Sequence, residues 1–270
     1  RELIAGVPFV IAAVCGTGLM LWLRHGSEDA VIRSYREGLV EAQQSSDLIR
    51  EEMCLKALCS LRGHDTDYLF QLGLFHIKQG RTAEGLGTIN ALAPDQTNGY
   101  APARMWLVRQ ALQPNPVLPL DKDSIEQQLL KVLKQQPENT DAHQLLSGVY
   151  FGRREFQLAE RHLTEAARFK PELNLQLAVL KQKLQRDPAA ILSSAQLAVN
   201  ALSKKLEQDR GESLTRMTLA EAQIVAGDHA AARETLVAGL QQSDDPKLKK
   251  RLADFDLQII DQRLKDSELH

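Results

Sequence analysis

The side chains from which a catalytic centre or a metal site is built are dispersed along this 270-residue chain. The seven histidines, His25, His64, His76, His143, His162, His229 and His270, form no H-E-x-x-H pair. Cys54 and Cys59 stand five apart on a predicted helix, a spacing that points them away from a common face, and Cys15 lies inside an apolar run. Neither a disulfide within the chain nor a Cys/His zinc set is expected. No G-x-S-x-G or phosphate-loop pattern occurs. Gly85-Leu86-Gly87 falls inside a predicted helix, where it suits close helix packing better than a nucleotide loop. These absences predict a chain that is no enzyme, with no catalytic residue, metal, cofactor or small-molecule substrate.

Charge narrows the partners further. Thirty-three Lys and Arg against 35 Asp and Glu leave a formal charge of -2, no field for gathering phosphates, so nucleic acid is not an expected partner. Lys247, Lys249, Lys250 and Arg251 form a basic cluster that could meet anionic lipid or an acidic partner. Asp244, Asp245, Asp254 and Asp256 flank it, and a solvated helix face accounts for the pattern.

Composition favours helix almost everywhere: aromatics are 5% of the residues, Gly 16 and Pro 10, and helix formers fill most positions, which predicts an all-α chain. Residues 3–23 carry no charge, and as a helix they would be about 31 Å long, close to the hydrocarbon thickness of a bilayer. Pro8 near the start and Trp22 at the far end suit a spanning helix, and Gly16 and Gly18 offer a small-residue contact face. The run exceeds a signal-peptide core and lacks a small-x-small site after it. A single-pass transmembrane anchor over residues 1–26 is expected, contacting lipid through residues 3–23, with residues 27–270 forming a helical domain on the extracytoplasmic side.

After residue 26, apolar residues recur at helical spacing and break every 12 to 20 residues at Gly, Asp, Asn or Pro. In residues 140–171, Leu146, Ser147 and Tyr150 line one helix and Ala159, Leu163 and Ala166 the next, before Pro171. Residues 67–97 carry Leu72, Gly73 and His76, a turn at Gly80, then Gly85, Ile89 and Leu92. Residues 214–244 carry Leu219, Ala220 and Gln223, the turn Gly227-Asp228, then Ala232, Leu236 and Gly239. Looser helix pairs are expected over 28–61, bending at Ser45-Ser46-Asp47, over 100–137, and over 172–208, with a capping helix over 246–265. In the second of these pairs Ser124 and Gln127 have the spacing of a capping box that restarts the helix.

These units resemble the tetratricopeptide repeat, in which small residues sit where two helices touch, a large residue fills the gap and a proline opens the next unit. The resemblance implies a superhelical solenoid of five to six helical hairpins whose concave face is lined by the first helix of each pair. Family members act mainly as scaffolds, co-chaperones and assembly factors. Inward positions carried over from the family are Phe70, Gln71, Leu74, Arg104, Val108, Gln144, Gly148, Met217 and Glu221, a mixed apolar and polar groove suited to a helix or an extended segment. They lack the Lys, Asn and Arg cluster with which related repeats clamp a carboxylate tail. A second candidate contact is the insertion Gln113, Pro114, Asn115, Pro116, Val117, Leu118, Pro119 and Leu120, whose three prolines forbid a continuous helix. The function expected is protein binding, either as an accessory or structural subunit of a membrane complex or as a transient assembly and quality-control factor.

Overall fold

The computed structural model describes residues 29–62, 65–116, 119–209 and 212–268. Among them every regular element is helical: the fold is all-helical, without strands. None of these helices is long and apolar enough to cross a membrane. The expected anchor, with Pro8, Cys15, Gly16, Gly18 and Trp22, lies outside the described residues.

The chain divides into two compact units, residues 1–118 and 119–270. In the first, α1 covers 29–45 and α2 Leu48–Leu61. The reversal between them is made at Ser46, whose φ is 58°, and Asp47 caps α2 by accepting from the Arg50 amide. α3 (Thr66–Lys78) and α4 (Thr82–Ala91) follow, joined through Gly80 at φ 79°, then α5 (Ala101–Ala111). Leu39, Cys54, Leu55, Leu58, Leu72 and Phe75 form one buried cluster across α1, α2 and α3. Ile89, Ala93, Ala103 and Leu107 form a second across α4 and α5, with Phe70 and Leu74 of α3 packed against it.

Gly73 and Gly85 set the contact between α3 and α4. A Cβ on Gly85 would lie 2.5 Å from the Gly73 carbonyl oxygen and 2.6 Å from Ile77 Cγ1. A Cβ on Gly73 would lie 2.7 Å from Ile89 Cγ1. The glycines therefore serve backbone approach, inside a helix, with Ile89 fully buried beside them.

The second unit runs α6 (Lys122–Gln135), α7 (Thr140–Gly152), α8 (Phe156–Phe169), a 3-10 turn at Pro171–Leu173, α9 (Asn174–Lys183), α10 (Pro188–Gln208), α11 (Ser213–Val225), α12 (His229–Gln242) and α13 (Pro246–Glu268). One start differs from the sequence expectation. Ser124 does not open α6; Asp121 does, its carboxylate accepting from the Ser124 amide at 2.7 Å, because a charged acceptor three residues earlier satisfies an orphan N–H group of the first turn. Leu175, Ala198, Leu202, Leu219 and Ala222 make a core across α9, α10 and α11. Ala220, Ala232, Leu236, Leu248 and Phe255 continue it across α11, α12 and α13. Gly239 repeats the α3–α4 device, since a Cβ there would meet Arg216 Cδ at 2.8 Å and Leu248 Cδ1 at 2.9 Å.

One connection between successive hairpins recurs and was not evident in the apolar pattern. The fifth residue of α2, α6 and α8 is in each case a glutamate: Glu52, Glu126 and Glu160. Each accepts from an arginine in the turn of the following hairpin. Arg81 forks onto both oxygens of Glu52 at 3.0 and 2.8 Å, Arg153 reaches Glu126 and, at 2.5 Å, Asp123, and Arg186 donates twice to Glu160. Paired hydrogen bonds of this kind fix orientation more than they add stability. They hold the Glu52 carboxyl down to about 2, with the Arg81 hydrogen bonds the largest cause and those from Lys56 next.

Candidate functional site

The second unit contains an open cavity of about 550 Å³ walled by the first helices of three successive hairpins, α7, α9 and α11. Its floor comes from α8, where Ala159 and Leu163 are buried against α7. Gly148 and Phe151 of α7, Leu175, Gln176, Val179 and Leu180 of α9, and Thr218 and Glu221 of α11 complete the wall. Phe151 and Val179 are each 45% exposed, large apolar side chains left in water at the rim of an apolar cavity. Ser147, also in the wall, turns its hydroxyl back to the Gln144 carbonyl at 2.7 Å, so its polar group is satisfied within α7.

Charge sits at two points. The Lys183 ammonium lies 4.8 Å from the centroid of Phe151 and 4.6 Å from that of Phe156, a cation held on two ring faces. Glu221 is more open, 55% exposed at its side chain, with Arg251 Nη2 of α13 3.9 Å from its carboxylate. The basic cluster noted in the sequence is thus partly spent locally: Arg251 faces Glu221, and Lys249 pairs with Asp244.

Behind the floor, α7 and α8 meet through aromatic and histidine side chains. Tyr150 donates to Glu126 at 2.7 Å and stacks on His162, centroids 5.4 Å apart. His143 Nε2 is 2.9 Å from the Pro137 carbonyl, to which it donates, and its Nδ1 is 2.9 Å from His162 Nδ1, so a single proton shared between those two nitrogens joins the rings. Burial, and then His143, hold His162 down to about 4; Arg161 adds to this, while Glu126 and Glu165 oppose it. An unfolded chain would protonate this imidazole near the ordinary value of 6.5. The folded state therefore binds fewer protons between these values, and stability present above about pH 6.5 is lost as pH falls through about 4. His162→Phe, which keeps a ring against Tyr150, should flatten the stability profile between pH 7 and pH 5 in thermal melts. An unchanged slope would assign the acid sensitivity elsewhere.

The residues expected to line a groove are distributed differently. Gly148 and Glu221 stand in the cavity wall. Gln144 is half-buried on α7, and Met217 packs into the α11–α13 core. Phe70 and Leu74 are half-buried against the α4–α5 core, Phe70 edge-on to Tyr100 with centroids 5.8 Å apart. Exposed Gln71 lines, with Leu74, a smaller cavity of about 210 Å³ at α1, α2 and α3.

Arg104 and Val108 require correction: both are fully buried, so neither offers a side chain to a groove. The Arg104 guanidinium turns inward and donates to the carbonyls of Asn98 at 2.6 Å, Pro94 at 2.6 Å and Thr97 at 2.9 Å. These three hydrogen bonds, with the nearby charge of Asp95, hold a charged side chain in the interior. Val108 is enclosed together with Ala101, Ala103, Met105 and Leu107 of the same helix, all of them buried.

Of the insertion, Gln113, Pro114, Asn115, Pro116 and Pro119 are exposed and Leu120 half-buried; Val117 and Leu118 lie outside the described residues. His76 is buried at α3 with neither ring nitrogen hydrogen-bonded, Glu52 and Glu84 standing 3.6 and 3.5 Å from its two nitrogens. Among the described residues no three His, Cys, Asp or Glu side chains are grouped to hold a metal ion.

The wall contributed by α9 was missed in the sequence. Its run NLQLAVLKQK buries Leu175, Leu177, Ala178 and Leu180 on more than one side, so no single apolar stripe marks a groove-facing edge. Phe151 could have been found, since it lies three residues after Gly148 on the same helical face.

This geometry defines a tetratricopeptide-like array of helical hairpins. No family model matches the sequence, and no characterised protein matches it at the sequence level. Solved structures do match in fold. A tetratricopeptide repeat protein from Parabacteroides merdae aligns over 85% of this chain and 87% of its own, at 14% identity and a TM-score of 0.50. The Cut9–Hcn1 hetero-tetramer of APC/C aligns over 83% of this chain at 11% identity and a TM-score of 0.52, this chain spanning 42% of the chain it matches. At such identities the likeness is one of fold.

Proposed function

We propose that this protein is a non-catalytic scaffold that holds a segment of another protein in the cavity walled by α7, α9 and α11. One observation carries the proposal: an apolar cavity of about 550 Å³ with half-exposed Phe151 and Val179 at its rim, a surface that hydrophobic burial favours covering. A helix or an extended segment fits such a wall, the large side chains serving as anchors. The uncharged residues 3–23 support a further element, tethering to a membrane, with the helical part on the extracytoplasmic side and the chain acting as an accessory subunit of a membrane complex.

The test is purification of the tagged full chain in mild detergent, followed by native mass spectrometry, for the wild type and a Phe151→Glu, Val179→Glu double variant. A fixed partner at constant stoichiometry, lost from the double variant, is the expected result. Retention of the same partner by the variant would remove the cavity from the binding surface, and a substoichiometric mixture of clients would overturn the subunit role.

A further inference from the structure

Gly148 is the ninth of thirteen residues of α7, deep enough in the helix for glycine to cost about 0.5–1 kcal/mol relative to alanine. At Gly73, Gly85 and Gly239 that cost has an internal reason, since a Cβ there would lie within 3 Å of a neighbouring atom, whereas Gly87 of α4 has open space around it and lines no cavity described above. At Gly148 a Cβ would meet nothing within 4 Å. The space it leaves opens into the cavity, over the buried Ala159 and Leu163 of the floor. Nothing in the packing of the chain against itself calls for glycine here.

Glu221 occupies the corresponding place on α11, ninth from Ser213, and lines the same cavity. Its carboxylate is half-exposed and its contact with Arg251 is long, 3.9 Å, whereas the Lys183 ammonium is held on two aromatic rings. The open charge of the wall is therefore negative. A carboxylate beside apolar surface favours a cation that arrives already attached to an apolar segment, because the segment's burial supplies affinity and the charge pair supplies register.

We propose that the cavity selects a basic, apolar protein segment, one large apolar side chain of which enters the space beside Gly148 while a lysine or arginine of the same segment meets Glu221. This rests on the protein-binding role proposed above and names the chemistry of the partner. It is the opposite sign from a carboxylate clamp, for which the wall has no cationic cluster.

A random twelve-residue peptide library displayed on phage, selected on the detergent-solubilised full chain, tests it. Enriched sequences should pair Phe, Leu, Met or Trp with Lys or Arg. A synthetic peptide from that pool should bind Gly148→Leu, whose own side chain fills the space, at least about tenfold more weakly than wild type. Gly148→Leu should melt no lower than wild type, since the site is open and leucine is the better helix former, which separates lost binding from lost fold. Glu221→Lys should turn the selection towards acidic peptides. Enrichment of acidic sequences on the wild type, equal binding by Gly148→Leu, or no enrichment would each overturn the proposal. So would a self-association that Gly148→Leu dissociates, because a second copy would then be the occupant. If the Phe151 and Val179 variant loses its native partner while peptide selection ignores Gly148 and Glu221, the scaffold role stands and the basic-segment proposal falls; if both tests fail, both fall.

Discussion

Arg104→Met should destabilise the first unit by about 3 kcal/mol. Methionine matches much of the volume, so packing is little changed and the cost is polar. Three carbonyls, at Pro94, Thr97 and Asn98, lose the donors that Arg104 brings to them at 2.6 to 2.9 Å. An unmet buried acceptor costs about 1–3 kcal/mol, and part is recovered where the loop can turn towards water. Burial lowers the Arg104 pKa from its ordinary value and the charge of Asp95 opposes this, but a guanidinium stays charged in proteins, so the interior cation is held by the acceptors around it together with that carboxylate. Gly99, at φ 57°, adds to the constraint, since a Cβ there would lie 2.7 Å from the Leu92 carbonyl oxygen and 3.0 Å from the Arg104 guanidinium. The measurement is denaturant unfolding followed by far-ultraviolet circular dichroism. Arg104→Lys should recover less than half of the loss, because one ammonium lacks the planar fork. A methionine variant as stable as wild type would mean that the loop is satisfied by other donors.

Gly85→Ala should cost about 2 kcal/mol although alanine is the better helix former. The added methyl would stand 2.5 Å from the Gly73 carbonyl oxygen and 3.0 Å from the Ile77 amide nitrogen, and backbone atoms cannot move aside as a flexible side chain can. α3 and α4 must therefore separate, which loosens the contacts of fully buried Ile89. A fall in melting temperature of several degrees is expected for a unit of this size. A rise would show that the two helices part without cost and that the glycines serve another purpose.

Both glycines were legible in the sequence as points of close helix contact, because the resemblance to tetratricopeptide units places small residues where a hairpin's helices touch. The same argument located Leu146, Ala159 and Leu163 in the α7–α8 contact, where all three are buried. It worked there because periodicity of 3.6 residues fixes which side of a helix is apolar, and a hairpin's two helices are near neighbours in the chain. It failed at Arg104, where family position suggested a groove and the nearby loop's carbonyls drew the side chain inward. It failed also for α9, apolar on several sides, which supplies the centre of the cavity wall.

The sequence by itself determined the helices, their turns and the small residues at hairpin contacts, since each depends on local backbone preference and on residues within about one hairpin of each other. Tertiary structure decided which faces became cavity and which became core. It also matched Glu52, Glu126 and Glu160 to Arg81, Arg153 and Arg186, at separations of 29, 27 and 26 residues. These pairings join one hairpin to the next, and their geometry follows from how far each hairpin rotates as it stacks. That rotation is set by the volumes of all the side chains between the helices together, so no single stretch of sequence contains it.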